Sequence, residues 1–380
     1  MKRIICFAAA FVMTIFTIGY NPSALTNVSE SAKAAILIDA QTGNIIYSKN
    51  SNTQLPMAST TKIMTTLLTL ESGDLDTEFI IDSEALLTEG SSMCLCEGDA
   101  VTKRELCYGM MLPSGNDAAN AAALKLAGNY EDFALMMNRR AGQIGMKNTN
   151  FVTPSGLHDS KHYSTAYDMA LLTREALKNS DFREICKTKN LKLSSENWSA
   201  DKYLSNSNKL LSRYEYCIGV KTGFTDEAGR CLVSAAEKDG VTLICVTLND
   251  PNDWLDHTNL LNYGFDCTKK TEIENIKTNF NVNAVGGEMS EIKCSLSEIP
   301  YCTAINSSLP DINEKIYLPK FVYAPIVNGD KVGYAEYYVD NDVICTVDIV
   351  SDENCSYIEK ENKKSLYDSI IDWIKGFYKE

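Results

Sequence analysis

The chain has 380 residues, 44% hydrophobic and 23% charged, and 36 Lys plus Arg against 50 Asp plus Glu give a net charge of −14. This is too apolar for a disordered chain and too acidic for a nucleic-acid-binding surface, and the length suits two domains with appendages. With only His158, His162 and His257 available, the sequence argues against a His-rich metal site.

Lys2 and Arg3 precede an uncharged apolar run over residues 4–18, followed by Gly19-Tyr20-Asn21-Pro22-Ser23-Ala24. A basic start, a short apolar core and a small-residue exit predict a secretory signal peptide over residues 1–24, cleaved after Ala24. A spanning helix would need about 20 apolar residues. An uncleaved N-terminal anchor is the alternative.

Residues 35–39 and 45–47 flank Gln41-Thr42-Gly43-Asn44, which reads as a β-hairpin. Residues 62–70 are apolar at helical spacing, residues 117–127 are Ala-rich, and residues 167–177 form an amphipathic helical pattern. Residues 216–220, 230–234 and 241–248 read as three consecutive strands, and residues 254–264 as a closing helix. Strand, helices, strands and helix predict an α/β (α+β) domain over residues 25–267, built on a mostly antiparallel sheet flanked by helices.

Over residues 268–356 helical periodicity gives way to short β-type runs at 280–282, 316–318, 321–323, 334–339 and 343–350. Asn328-Gly329-Asp330 is a turn signal among them, and the block reads as a small all-β domain without a catalytic constellation. In residues 357–380, Ser365-x-x-Asp368 resembles a capping box. Leu366, Ile370, Trp373, Ile374 and Phe377 then share one face of a helix. An interfacial membrane helix and a terminal helix packed on its own domain both fit this pattern.

Thirteen cysteines, Cys6 in the leader and the rest beyond it, would suggest a disulfide framework in a small exported chain. Here Cys107, Cys217, Cys231, Cys245 and Cys345 sit in apolar or strand-like runs, where Cys serves as a small hydrophobe. Free, buried thiols are the preferred reading. Cys94-Leu95-Cys96 is the closest pair; it raises redox or metal chemistry, but two thiols make half a zinc site.

Three short motifs carry the chemistry. In Ser59-Thr60-Thr61-Lys62 the serine and lysine are one helical turn apart and can face the same way. A serine hydroxyl is a weak nucleophile until an adjacent base takes its proton, and a lysine does so when burial or positive charge lowers its pKa. The helix start also offers backbone N–H groups to a developing oxyanion. The bland alternative is an N-cap serine. Ser114-Gly115-Asn116 lies between two helical stretches, where a hydroxyl can relay a proton and an amide can hold a substrate carbonyl; alone it is an ordinary turn. Lys221-Thr222-Gly223 ends the first of the three strands and continues into Phe224 and Thr225. Gly223 permits close backbone approach, Lys221 adds positive charge that favours a neutral Lys62, and the Phe224 N–H is a candidate second oxyanion donor. Alone it is a strand end with a hairpin.

Together, S-x-x-K, S-x-N and K-T-G in that order form the set used by penicillin-binding proteins and class A β-lactamases. The chain resembles the low-molecular-mass penicillin-binding proteins that are serine-type D-alanyl-D-alanine carboxypeptidases. The resemblance extends to Gly90-Ser91-Ser92-Met93, Glu97-Gly98-Asp99-Ala100-Val101-Thr102, and the stretches 111–119, 162–170 and 220–229. It implies a β-lactamase/transpeptidase-like fold, a Ser59 acyl-enzyme with Lys62 as base, and Ser114 in proton transfer. It also implies Asn116, Lys221, Thr222, Gly223, Phe224 and Thr225 around the substrate, with Lys221 and Thr225 on its carboxylate. The substrates would be peptidoglycan stem peptides ending in D-Ala-D-Ala, with β-lactams as covalent inhibitors and no metal or organic cofactor. The resemblance further implies an exported enzyme held on the outer face of the cytoplasmic membrane through residues 365–380.

An Arg that some relatives carry after the last sheet strand is missing from Asn249-Asp250-Pro251-Asn252-Asp253-Trp254, and Arg230 is the nearest cation in sequence. A DD-endopeptidase would use the same residues and stays open. A β-lactamase would share the first step, but no dedicated deacylating Glu motif is found and the extra β domain and terminal helix do not suit it. A non-catalytic muropeptide-binding protein would not need a nucleophile beside two lysines.

Overall fold

A computed structural model describes residues 30–198, 200–358 and 366–377; the signal peptide expected over 1–24 and the capping residue Ser365 lie outside the described residues. The catalytic sheet opens with the hairpin β1 (Ala34–Asp39) and β2 (Ile45–Lys49). The chain then leaves the sheet for α1 (Lys62–Glu71), a two-residue strand pair β3 (Phe79–Ile80) and β4 (Ala100–Val101), and α2 (Lys103–Met111). Next come α3 (Asn116–Ala127), α4 (Tyr130–Ile144), α5 (Ala166–Ala176) and α6 (Ser180–Lys187). A small hairpin, β5 (Asn190–Leu193) and β6 (Lys202–Ser205), and the single turn α7 (Leu210–Arg213) lead back to the sheet. There β7 (Cys217–Thr225), β8 (Gly229–Lys238) and β9 (Val241–Leu248) run consecutively, and α8 (Asp253–Cys267) closes the unit.

The five strands lie in the order β2-β1-β9-β8-β7, and every neighbouring pair is antiparallel. Alternation along the strands builds two cores. Ile36, Ile38, Ile244 and Val246 face the layer holding α1 to α6, whereas Leu37, Leu243 and Cys245 face α7 and α8. All six residues of β1 are buried, as a strand covered on both faces requires. Helix starts are fixed by side chains: Thr102 and Glu105 form a reciprocal capping box on α2, and Thr165 accepts from the Asp168 N–H at α5.

The second domain contains β10 (Thr268–Glu272), β11 (Asn279–Val285), β12 (Glu291–Leu296), β13 (Tyr301–Ile305), β14 (Asn313–Tyr317), β15 (Phe321–Tyr323), β16 (Lys331–Val339) and β17 (Asp342–Ser351). Six of these form a sheet in the order β14-β16-β17-β12-β11-β15, while β10 pairs with β13. Phe280, Val282, Ile292, Tyr337 and Ile349 form its core. The terminal helix α9 spans Leu366–Phe377.

The turn of the first hairpin has a second task. Gln41 Nε2 donates to the carbonyls of Tyr301 (3.0 Å) and Ile344 (3.2 Å), and its Oε1 accepts from the Thr303 N–H (2.9 Å). Arg174 braces this turn through the carbonyls of Ala40 and Gln41 and pairs with Asp342. One glutamine thus pins the catalytic unit to β13 and β17.

The twelve cysteines among the described residues are all free thiols, and most are buried. Cys345, expected inside, is only half-buried because it lines an open cleft where the two domains meet. Cys94 and Cys96 are exposed.

Candidate active site

Ser59 lies in a single 3-10 turn, Ala58–Thr61, that runs straight into α1. It is not an N-cap: no side-chain cap bond is made at that turn. Thr60 Oγ1 and Thr61 Oγ1 instead tie the turn down by donating to the Met57 and Ala58 carbonyls (2.6 and 2.8 Å). Lys62 is the first residue of α1 and is completely buried, with 0% exposure.

Three oxygens surround Lys62 Nζ: Ser59 Oγ at 2.9 Å, Asn116 Oδ1 at 2.7 Å and the Ser155 carbonyl at 2.8 Å. Burial holds its pKa well below the usual lysine value; Lys221 pushes the same way and Asp117 opposes them. A neutral amine has two N–H groups and one lone pair. Asn116 Oδ1 and the Ser155 carbonyl can only accept, so they take the two N–H groups. The lone pair is left toward the Ser59 hydroxyl, the one partner able to donate.

Asn116 was expected on a connecting loop but is the first residue of α3. Its amide joins two parts of the site, Oδ1 accepting from Lys62 and one Nδ2 hydrogen donating to the Glu89 carbonyl at 2.6 Å, which leaves the second Nδ2 hydrogen available. Ser114 sits on the link between α2 and α3 with φ +70° and lines the same cleft as Ser59. Thr222, Gly223 and Phe224 of β7 form another wall of that cleft, whose volume is about 360 Å³. A Cβ on Gly223 would lie 3.0 Å from the Met57 carbonyl oxygen and 3.1 Å from Ser59 N, so only glycine lets β7 press this closely on the nucleophile turn. Lys221 is 1% exposed, and desolvation lowers its pKa to about 7. Its Nζ donates to the Thr222 carbonyl at 3.1 Å. Phe224 is exposed, and Thr225 Oγ1 accepts the Ala228 N–H that closes the hairpin.

Arg230, opposite Phe224 on β8, also lines the cleft. Its Nη2 reaches both oxygens of Asp253 (2.7 and 2.8 Å) and its guanidinium lies over the Trp254 ring. Its Nε has no partner.

Two further contributors lie inside the stretches of wider resemblance, which gave no sign of their roles. Asp117 accepts from Ser92 Oγ and from the N–H groups of Met93 and Leu95, strapping that loop to the start of α3. His162 Nδ1 accepts from the Val152 and Thr153 N–H groups, so the proton sits on Nε2, 2.8 Å from Thr61 Oγ1. It thereby joins the nucleophile turn to the loop carrying Ser155. No group of three metal-ligating side chains is found among the described residues.

This histidine yields a pH prediction. Burial lowers the His162 pKa from about 6.5 to about 4. The folded state therefore loses stability as pH falls from 6.5 toward 4, because the unfolded chain binds the proton first. Over the whole window the loss is about 3 kcal/mol. His257, held between Ser234 and Thr247, is also depressed and adds a similar slope. His162→Asn should start with a lower Tm at pH 7 but show a shallower decline to pH 4.5 than the parent; parallel declines would disprove the assignment.

Comparison with known proteins agrees with this geometry. A family profile described as D-alanyl-D-alanine carboxypeptidase matches residues 21–252, and one described as penicillin-binding protein 5, C-terminal domain, matches residues 275–357. The D-alanyl-D-alanine carboxypeptidase DacF of Bacillus subtilis is 31% identical, over 93% of this chain and 95% of its own. Penicillin-binding protein 5 of Haemophilus influenzae superposes with a TM-score of 0.63 at 26% identity, over 88% of this chain and 100% of that one. A Streptomyces DD-transpeptidase superposes with a TM-score of 0.60 at 35% identity, over 64% and 100%. The chain belongs to the peptidase S11 family and is a serine-type D-alanyl-D-alanine carboxypeptidase.

Proposed function

We propose that Ser59 is the nucleophile and Lys62 its general base in the release of the terminal D-Ala from a wall pentapeptide. The observation that supports this is the buried Lys62 amine, 2.9 Å from Ser59 Oγ and held by the Asn116 Oδ1 and Ser155 carbonyl oxygens, with burial keeping its pKa well below the usual lysine value. Ser59 Oγ attacks the penultimate D-Ala carbonyl as Lys62 takes its proton. The Ser59 N–H, in the first turn and so without an intrahelical acceptor, and the Phe224 N–H receive the oxyanion. Ser114 passes the proton to the departing amine. Water then clears the acyl-enzyme.

The substrate lies along Thr222, Gly223 and Phe224, and its terminal carboxylate meets Lys221, Thr225 and Arg230. Asn116 positions the base through Oδ1, and its remaining Nδ2 hydrogen is the donor that would hold a substrate carbonyl. Export by residues 1–24 and attachment to the outer membrane face through α9 belong to this reading. Supporting attachment, α9 exposes Ile370, Trp373 and Ile374, while no helix among the described residues is long and apolar enough to cross a bilayer.

The test is incubation of the full chain with a D-Ala-D-Ala pentapeptide and, separately, labelled penicillin. Free D-Ala and a penicillin adduct mapped to Ser59 are expected. An adduct on another residue, or fast turnover of penicillin without D-Ala release, would overturn the reading.

A further inference from the structure

The two ends of the second domain differ in chemistry. One end meets the catalytic unit, where Gln41 binds the Ile344 carbonyl near the start of β17 and Arg174 pairs with Asp342. From Ile344, β17 runs away from that contact to Ser351, roughly 23 Å at about 3.3 Å per residue. Cys294 of β12 pairs with Ser351, and the pairing of β12 with β11 carries the sheet past that level, Glu291 opposite Asn283. At this far end β15 forms the open edge of the sheet, parallel to β11, with Phe321 opposite Asn283 and Tyr323 opposite Val285.

Alternation decides which side chains turn outward there. Phe280 and Val282 are buried in the domain core, and Ala284 and Val322 pack against it. Val285, Phe321 and Tyr323 therefore point the other way, with Phe321 46% and Tyr323 70% exposed. The rings of Phe321 and Tyr323 meet edge to face at 5.3 Å. Tyr357, whose backbone bridges to Gly287, and Ile358, whose N–H donates to the Gly286 carbonyl (2.9 Å), extend the surface and are exposed. Val327, next to the Ile326–Cys355 bridge, is exposed at the same end. Elsewhere the domain surface is charged: Lys293 pairs with Glu353, and Lys331 with Asp348. An apolar cluster bordered by charges marks a surface that meets a partner.

The path of the chain says which partner. Ile358 belongs to this corner, and only residues 359–365 separate it from the start of α9 at Leu366. Even fully extended, at about 3.5 Å per residue, that link keeps the start of α9 within about 28 Å of the corner. The exposed Ile370 and Ile374 of α9 thus work close to the exposed aromatic rings. We propose that the corner formed by Val285, Phe321, Tyr323, Val327, Tyr357 and Ile358 is a second membrane contact, seated in the interfacial layer of the bilayer that α9 enters. The second domain then stands on the lipid by the end opposite the catalytic unit. The inference rests on the reading of α9 as the attachment helix. Tyrosine suits this layer, because its ring is buried while its hydroxyl stays among headgroups and water. A short amphipathic helix binds in proportion to the apolar area it buries. Once α9 is bound, the tethered corner meets the lipid at a high effective concentration, so a small added area gives a large gain in attachment.

The test measures co-sedimentation of the processed chain, residues 25–380, with vesicles of phosphatidylethanolamine and phosphatidylglycerol. The double variant Phe321→Ser/Tyr323→Ser should weaken partition about tenfold. Leu135→Ser, the same kind of loss at an exposed site on α4, should leave it unchanged. Both should keep the parent's Tm and rate of penicillin acylation, which reports that both domains are folded. Vesicles should also slow amide hydrogen exchange at residues 321–323 on the open edge of the sheet. Partition of the double variant equal to that of the parent, with no protection of 321–323, would overturn the inference and leave α9 as the sole attachment. Loss of self-association in the double variant, with vesicle binding intact, would overturn it too and make the corner an interface between copies. Ile370→Asp/Ile374→Asp tests the underlying reading separately: if it binds vesicles like the parent, or if the parent does not bind, attachment through α9 falls and this inference falls with it.

Discussion

Exchanging Lys62 for arginine should lower penicillin acylation and D-Ala release together, by about 10²–10⁴-fold, the usual contribution of a positioned general base. Arginine can still donate toward Asn116 and Ser155, but it carries a permanent positive charge, does not deprotonate and offers no lone pair. The substitution therefore separates two roles that the geometry combines, holding the loops and accepting the Ser59 proton. Ser59→Ala sets the floor, since it removes the adduct altogether. The pH dependence has a definite sign. Lys62 acts as the amine, so acylation should fall as pH drops through its lowered pKa and plateau above it. Lys221, with a pKa of about 7, complicates the acid side: gaining its proton strengthens carboxylate binding while pushing Lys62 further toward the neutral form. A rise in KM with a constant acylation rate above pH 7, and a falling acylation rate below the Lys62 transition, is the expected split. Retention of acylation by Lys62→Arg would mean that another group takes the proton.

The parts of this site that could be read in the sequence are those in which side chains carry the chemistry. Ser59, Lys62, Ser114 and Lys221 sit in short motifs whose spacing reflects one helix turn, one tight link and one strand, although Lys221-Thr222-Gly223, expected at a strand end, lies inside β7, which runs on to Thr225. The strands and helices around them announce themselves through apolar runs, which the structure buries almost completely in β1, α1 and β9. What could not be read is what the main chain does. The Ser155 carbonyl that completes Lys62 and the Glu89 carbonyl that orients Asn116 are identical in kind to every other carbonyl; only the fold selects them. Asn116 was expected around the substrate because an amide can hold a carbonyl; that it opens α3 and also accepts from the base on Oδ1 could not be read from an isolated S-x-N. Gln41 gave no signal because a polar residue at a hairpin turn is ordinary until a second domain is placed against it. Long-range partners of this kind follow from topology, and the order β2-β1-β9-β8-β7, with first and last strands adjacent, cannot be derived from local pattern.

Gly156→Ala should cost the protein its site and much of its stability. Gly156 has φ +85°, and a Cβ there would lie 2.0 Å from the Ala58 carbonyl oxygen and 2.5 Å from its carbon. Those are backbone atoms of the nucleophile turn, where Ala58 already sits at φ +47° and Thr61 Oγ1 donates to that same carbonyl. No side chain can swing aside, so either the Ser155 loop or the Ser59 turn must move. Movement of either separates Lys62 Nζ from one of its three oxygens. We expect a loss of about 3 kcal/mol or more, in the range of severe overpacking, and penicillin acylation reduced at least as far as in Lys62→Arg. Gly128→Ala is the matched control. Gly128 has nearly the same φ, +80°, at the C-terminal cap of α3, but nothing lies within 4 Å of its added Cβ. It should lose only the backbone term, about 1 kcal/mol, and keep full acylation. Comparing the two by thermal unfolding and by the rate of Ser59 adduct formation separates conformational strain from the collision with Ala58. If both variants lose similar stability and both remain active, the contact between the Gly156 loop and the nucleophile turn does not hold the base in place.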